Sequence, residues 1–163
     1  MIRHTFLAGL AAVFWTSAQA QIPAAIATPG KHIVAQFHAE GAQIYQCGPD
    51  AAGKLDWRFR EPIATLLADG TSVGRHYAGP GWELLDGSAV VGKPVASSPG
   101  TTPEDIAWLR LDPTAHRGAG RLSTVSAIQR INTKGGVAPK GCVTAGSFLS
   151  APYSADYVFL GDD

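Results

Sequence analysis

Residues 72–91, SVGRHYAGPGWELLDGSAVV, are the stretch that decides the fold. Residues 72–77 and 82–85 are runs typical of β-strands, and Ala78-Gly-Pro-Gly81 between them is a four-residue hairpin connection. Asp86-Gly87 then forms a two-residue turn suited to type I′ and leads into a third run, residues 88–91. The stretch therefore predicts a three-stranded antiparallel meander.

The chain on both sides of the meander carries further runs of the same kind. Residues 92–100 predict a loop, whereas residues 121–133 are rich in Val, Ile, Thr and Ser and predict a long strand. Residues 102–105 resemble a capping box and leave one helical turn open as an alternative to loop. The other predicted strands are residues 32–37, 42–47, 55–60, 64–68, 107–111 and 156–160.

Composition agrees with an all-β fold. The 19 Gly and 11 Pro are scattered without a period, and only 16% of the residues are charged. This pattern indicates many short strands joined by turns. We expect an antiparallel β-sandwich or barrel-like sandwich of roughly eight to ten short strands with little helix. The alternative is an eight-stranded barrel whose mouth holds a small ligand.

The first twenty residues have the pattern of a secretory signal peptide. Arg3 precedes an apolar run from Phe6 to Trp15, and Ala18-Gln-Ala20 matches a cleavage site. The run is shorter than the roughly 20 residues that span a bilayer, so we expect no membrane insertion after cleavage. The sequence thus predicts a cleaved leader over residues 1–20, an extended lead-in over 21–30 and a single β-rich domain over 31–163, exported to the periplasm or the extracellular space.

Two cysteines, Cys47 and Cys142, remain for the exported chain. An even pair in an oxidising compartment is more often a disulfide than a catalytic thiol or a metal site. The sequence therefore predicts a Cys47–Cys142 disulfide that ties an early strand to a late segment.

Charge and motifs exclude several classes of function. The 13 Lys and Arg balance the 13 Asp and Glu, so no basic surface is expected and nucleic acid is not a predicted partner. The chain lacks the Gly-x-Gly-x-x-Gly fingerprint of a dinucleotide fold, and no cofactor is predicted. No His-Glu-x-x-His motif occurs and the histidines are scattered, so no metal site is predicted.

His76 and Glu83 are the candidate catalytic residues. If Tyr77 opposes Trp82 across the hairpin connection, His76 opposes Glu83, and directly opposed side chains lie about 4.5–5.5 Å apart at Cβ. A carboxylate at that distance would orient the imidazole as a general base or complete half of a ligand site. The alternative is a cross-strand polar pair that only stabilises the hairpin.

The candidate ligand-binding residues extend this pair. The meander concentrates polar side chains between glycines, and Gln129 places one amide in an apolar row of the strand that contains Val125, Ala127 and Ile131. That amide either bonds a neighbouring backbone group or points into a pocket. The tryptophans Trp57, Trp82 and Trp108 form either a sugar-stacking platform or part of the core. The predicted ligand-binding set is Arg75, His76, Trp82, Glu83, Asp86 and Gln129.

Several stretches resemble one protein family. They are residues 41–47 (GAQIYQC), 73–83 (VGRHYAGPGWE), 86–88 (DGS), 128–130 (IQR) and 133–139 (TKGGVAP). These segments are similar to the exported bacterial and fungal proteins of the family called domain of unknown function 3455. The resemblance covers roughly residues 29–160, implies a secreted β-rich domain and implies no activity.

Three classes of function stay open on these observations. The first is a module that binds a small molecule or a glycan, which suits an exported β domain without catalytic motifs. The second is a small secreted hydrolase or lyase that uses the His76–carboxylate pair, and the third is a structural envelope protein. A concave pocket around His76 favours chemistry or small-molecule binding, whereas a flat, exposed row of tryptophans favours glycan binding.

Overall fold

The computed structural model describes residues 21–163, and the predicted signal peptide lies outside these residues. They form a short 3₁₀ helix, Ala24–Ile26, and eight strands. No helix in this part of the chain is long and apolar enough to cross a membrane. The strands are β1 (Lys31–Pro49), β2 (Leu55–Ala68), β3 (Thr71–Tyr77), β4 (Gly81–Leu84), β5 (Ala89–Ser98), β6 (Trp108–Arg117), β7 (Ala127–Gly135) and β8 (Phe148–Asp162).

The strands form one antiparallel sheet that closes into a barrel. Each strand pairs with the next along the chain, and β1 also pairs with β8 from Lys31 to Gln46. Because β1 has a partner on both sides, the sheet has no free edge. The all-β, antiparallel prediction is confirmed, and of the two architectures the closed barrel is the one observed.

The meander of β3, β4 and β5 lies where the sequence predicts it, but other boundaries differ. The predicted strands 32–37 and 42–47 are parts of β1, which bends at two β-bulges instead of ending. At Gly41 β1 and β2 come so close that a Cβ would lie 2.0 Å from the Ile63 carbonyl oxygen. Residues 92–98, predicted as loop, continue β5, and residues 102–105 form a turn rather than a helix.

The barrel interior is apolar at one end. Its buried side chains include Phe37, Trp82, Val90, Leu111, Ile128 and Phe159. The connection from β6 to β7 turns over this end and inserts Leu122 and Val125, which are 0% and 2% exposed. Residues 121–126, predicted as part of a long strand, therefore close the barrel instead of extending its wall.

A second, smaller core lies outside the barrel wall. The lead-in segment crosses the outer face and buries Ile26 against Trp108, Ala127, Val158 and Leu160. The extended lead-in predicted for residues 21–30 is thus packed on the barrel and includes the 3₁₀ helix. The disulfide Cys47–Cys142 is confirmed and joins the end of β1 to the β7–β8 connection.

Candidate functional site

The predicted His76–Glu83 pair is wrong because the hairpin register differs by one residue. Tyr77 pairs with Gly81, which places His76 opposite Trp82 and Arg75 opposite Glu83. The side chains of a strand alternate between faces, so a shift of one residue moves Glu83 to the face opposite His76. His76 lies inside the barrel and Glu83 outside it.

Glu83 is occupied by two arginines on the outer face. Its Oε2 accepts a hydrogen bond from Nη2 of Arg75 at 2.8 Å, and its Oε1 lies 3.1 Å from Nη2 of Arg117. The bond from Arg75, followed by that from Arg117, lowers the pKa of the Glu83 carboxyl. The Arg75 guanidinium is also 5.1 Å from the ring centre of Tyr77. Arg75 and Glu83 therefore form an external ion-pair network and do not reach His76.

Asp86 connects two turns at the closed end of the barrel. Its Oδ1 accepts bonds from the Ser88 backbone N–H at 2.8 Å and the Ser88 hydroxyl at 2.6 Å. Its Oδ2 accepts the backbone N–H of Arg121 at 2.9 Å. These bonds, that from Arg121 first, lower the pKa of Asp86. The observed contacts of Asp86 are those of a carboxylate that holds loops together.

Gln129 lies on the outer face of β7 beneath the lead-in segment. As the alternation predicts, it shares that face with Ala127 and Ile131, and Arg130 points to the opposite side. The Gln129 Nε2 donates to the carbonyl of Ile26 at 2.7 Å. The sequence leaves two roles open for this amide, a bond to a backbone group or a position in a pocket, and the structure shows the bond to a backbone group.

The end of the barrel opposite Leu122 is open and holds a cavity of about 470 Å³. This volume is within the range of roughly 300–1,000 Å³ that is usual for ligand pockets. Of the predicted site residues, His76 lines the cavity and Trp82 lies directly beneath it. The apolar wall includes Phe59, Pro62, Pro80, Pro94, Leu109 and Val137, and the polar lining includes Gln43, Tyr45, Arg60, His76 and Arg130.

His76 is held by a carbonyl and two aromatic rings. It is 3% exposed, its Nδ1 lies 2.8 Å from the Gly81 carbonyl oxygen, and its ring stacks on Trp82 with centroids 4.6 Å apart. Because a carbonyl oxygen only accepts, Nδ1 carries the proton and Nε2 is left as an acceptor. Burial lowers the pKa of His76 from 6.5 to about 4, so the imidazole is neutral at neutral pH.

Arg130 brings a positive charge into the same space. Its Nε and Nη2 donate to the carbonyl of Ala107 at 3.0 and 2.8 Å. Burial raises the pKa values of Tyr45, Tyr153 and Tyr157, and the charge of Arg130 opposes that rise at all three. The charge of the guanidinium therefore lowers the pKa values of these three tyrosines against the effect of burial.

Further polar side chains surround Arg130. The hydroxyls of Tyr153 and Tyr157 are 3.3 Å apart, and Tyr45 donates to the carbonyl of Gly136 at 2.8 Å. Gly136 has a φ of +89°, and a Cβ there would lie 3.0 Å from Cβ of Tyr153, so this position favours glycine. The buried amide nitrogen of Gln43 has no hydrogen-bond partner within 3.5 Å among residues 21–163, although the Gln43 side chain lies near enough to the Tyr153 hydroxyl to lower its pKa.

Sequence reasoning missed Gln43, Tyr45 and Arg130 as site residues, although the signals are present. Gln43 and Tyr45 share one face of an alternating run, and Arg130 shares a face with Ile128 on the strand whose other face carries Gln129. Which face turns inward depends on barrel closure. The structure shows no group of three or more His, Cys, Asp or Glu that could hold a metal within its described range.

Comparison with known proteins adds a family but no activity. A family model described as "Protein of unknown function (DUF3455)" matches residues 28–72 and 67–161, which together span the barrel. No curated protein and no solved structure matches the chain.

Proposed function

The chain belongs to the family of proteins of unknown function DUF3455, and from the geometry of its barrel we propose that it is an exported protein that binds a small molecule in the open end. The cavity of about 470 Å³ is the observation that carries this proposal. Small-molecule sites are concave and mostly apolar, with a few polar groups that fix orientation, and barrel mouths are a common place for them.

The buried amide of Gln43 supports the same proposal. A buried donor without a partner costs about 1–3 kcal/mol, so native structures leave few of them. Gln43 is 3% exposed and lines the cavity. A ligand with an acceptor atom would accept a hydrogen bond from this amide nitrogen. The donor, which is unpaired in the free protein, would then be paired in the complex.

The other two classes of function have less support. The hydrolase or lyase hypothesis depended on a carboxylate beside His76, and Glu83 is on the other face. The Asp105 carboxylate lines the cavity but accepts backbone N–H groups from Gly135 and Thr102 at 2.7 and 3.1 Å. Glycan stacking on a tryptophan row is disfavoured because Trp82 and Trp108 are 1% and 7% exposed.

Export is part of the proposal and has two supports. The first is the signal-peptide pattern of residues 1–20. The second is the Cys47–Cys142 disulfide, since disulfides persist mainly in oxidising compartments.

Binding of N-phenyl-1-naphthylamine tests the proposal. This uncharged probe fluoresces more strongly in apolar surroundings, and we expect saturable binding to one site. Val137 lines the cavity and is 46% exposed, so Val137→Trp narrows the mouth without filling the core. We expect the variant to weaken probe binding at least tenfold, or about 1.4 kcal/mol.

Val143→Trp is the matched control, because Val143 is 94% exposed and does not line the cavity. It makes the same change in side-chain size, and we expect it to leave the affinity unchanged. Equal affinity in all three proteins would place the bound probe outside the barrel mouth. No binding to the unaltered protein would contradict the proposal and favour the structural envelope class.

A further inference from the structure

The cavity contains a positive charge that has no partner of opposite charge. In the described part of the chain no carboxylate oxygen lies within 4.0 Å of the Arg130 guanidinium, whose Nε and Nη2 donate to the Ala107 carbonyl. A guanidinium has five N–H donors, and besides the Ala107 carbonyl its hydrogen-bond partner among the described residues is the Tyr157 hydroxyl, so donors remain for a ligand. Arginine binds carboxylate with a geometry that suits two parallel hydrogen bonds.

The neighbouring groups do not neutralise this charge. Both Asp105 oxygens are engaged by backbone N–H groups, and the nearest cation to that carboxylate is Lys134 at 3.8 Å. Burial keeps His76 uncharged at neutral pH, so it adds no charge of either sign. Arg60, a second cation in the cavity wall, donates to the side-chain oxygen of Gln46 at 3.0 Å and lies over the ring of Phe148. The mouth therefore has a net positive charge.

The walls around these cations are apolar. Phe59, Pro62 and Pro94 line the cavity, as does Leu109, which pairs with Arg130 across β6 and β7. An apolar wall of this kind offers no hydrogen-bonding groups to a hydrated inorganic ion. It suits a ligand with a ring or an alkyl body that places its charged end against Arg130.

We propose that the barrel mouth binds small organic carboxylates, with the carboxylate on Arg130 and the amide of Gln43 and the apolar body against the proline-rich wall. This inference rests on the proposed function, since it names the ligand class for the same cavity. Carboxylate oxygens only accept hydrogen bonds, which matches the donors that Arg130 and Gln43 supply.

Displacement of N-phenyl-1-naphthylamine by 2-naphthoate and by 2-naphthamide tests the inference. The two competitors share one ring system and differ in whether the polar end carries a negative charge. We expect the unaltered protein to bind the carboxylate at least tenfold more tightly than the amide. In Arg130→Gln this preference should vanish, because the positive charge that the carboxylate would contact is gone.

Arg58→Gln is the matched control. Arg58 is exposed and donates to the carbonyl of Pro49 at 3.0 Å, so the variant removes one positive charge, as Arg130→Gln does, together with a contact to one carbonyl. We expect it to keep the full preference for naphthoate. Arg130→Lys retains the charge, and we expect a preference between those of the unaltered protein and Arg130→Gln.

Each result is decisive. Equal affinities for naphthoate and naphthamide in the unaltered protein would overturn the inference, whether or not Arg130→Gln folds. A preference that survives in a folded Arg130→Gln would also overturn it. In both cases binding of the neutral reporter would leave the proposed function standing. No reporter binding to the unaltered protein would remove the proposed function and the carboxylate inference with it.

Discussion

His76 is held so that its neutral form is the stable one. The ring is packed between Trp82 and Tyr157, with centroids 4.6 and 4.8 Å away, and Nδ1 is used by the Gly81 carbonyl. Burial is the largest cause of its lowered pKa, and the charge of Arg130 acts in the same direction. The neutral imidazole leaves an acceptor at Nε2, and in the proposed complex this acceptor would favour ligands that also carry a donor.

The buried imidazole predicts a pH dependence of stability. The unfolded chain takes up a proton on His76 below about pH 6.5, whereas the folded chain does so only near pH 4. Unfolding therefore becomes easier as pH falls through that window, and the contribution of His76 is fully present only above pH 6.5. Between pH 7 and pH 5 we expect a loss of about 2 kcal/mol in the free energy of unfolding from this residue.

Urea unfolding of the unaltered protein and of His76→Phe at both pH values measures this contribution. The phenyl ring keeps the stack on Trp82 but cannot titrate, so the variant should lose less stability on acidification. Near-UV circular dichroism checks that its packing is intact. The same loss in both proteins would show that His76 titrates alike in the folded and unfolded states.

Gln129 and Arg130 show how adjacent residues of one strand acquire different roles. Gln129 faces out and bonds the Ile26 carbonyl beneath the lead-in segment, while Arg130 faces in and bonds Ala107. Alternation along the strand separates their faces without indicating which one turns inward.

At the level of elements, the turn between β4 and β5 holds the β6–β7 connection across the closed end of the barrel. Asp86 accepts the backbone N–H of Arg121, and the Ser88 hydroxyl accepts that of Leu122 at 3.2 Å. Gly120 approaches the Asp86 carboxylate so closely that a Cβ would lie 2.6 Å from it. The turn and the β6–β7 connection thus fix each other, and Leu122 is held inside the closed end.

Asp86→Ala is expected to lower the free energy of unfolding by on the order of 1–3 kcal/mol, the usual cost of losing bonds to a charged group. Asp50→Ala is the matched control, since Asp50 accepts two backbone N–H groups within its own hairpin turn. We expect a smaller loss there, because no second loop depends on that turn.

Urea unfolding at neutral pH makes this comparison. Since the folded pKa of Asp86 is lowered, its contribution is present above pH 3.8 and is lost as the carboxylate becomes protonated at lower pH. Equal losses of unfolding free energy in the two variants would mean that the hydrogen bond to Arg121 adds no stability beyond that of the local turn.

For the molecule as a whole, closure gives every strand two neighbours, and the disulfide closes a long loop. Cys47 and Cys142 are 95 positions apart, and a cross-link over such a loop stabilises a fold by roughly 4–5 kcal/mol in the chain-entropy model, an upper figure. It also fixes the β7–β8 connection, which begins next to Val137 at the cavity mouth. The cross-link thus supports the wall of the candidate site.

The proposed export, with its processing and oxidation, can be checked by intact mass. We expect a chain that begins at Gln21, because Ala18-Gln-Ala20 matches a cleavage site. Alkylation without reductant should add no mass, and alkylation after reduction should modify both cysteines. A full-length chain in the exported fraction, or two alkylated thiols without reduction, would contradict the expectation.

The sequence by itself determined the fold class, the central meander and the cysteine pair. These depend on local patterns: alternation of side chains, Gly-rich turns and an even number of cysteines. The positions of Gln129 and Arg130 on opposite faces follow from the same alternation.

Only the tertiary structure decided the site. The observed hairpin register differs by one residue from the predicted one. A shift of one residue is enough to place Glu83 on the sheet face opposite His76. Closure of β8 on β1 decided which face became the interior, and it brought Gln43, His76 and Arg130 together from β1, β3 and β7. The cavity exists because distant strands meet around it, and no local pattern in the chain specifies that meeting.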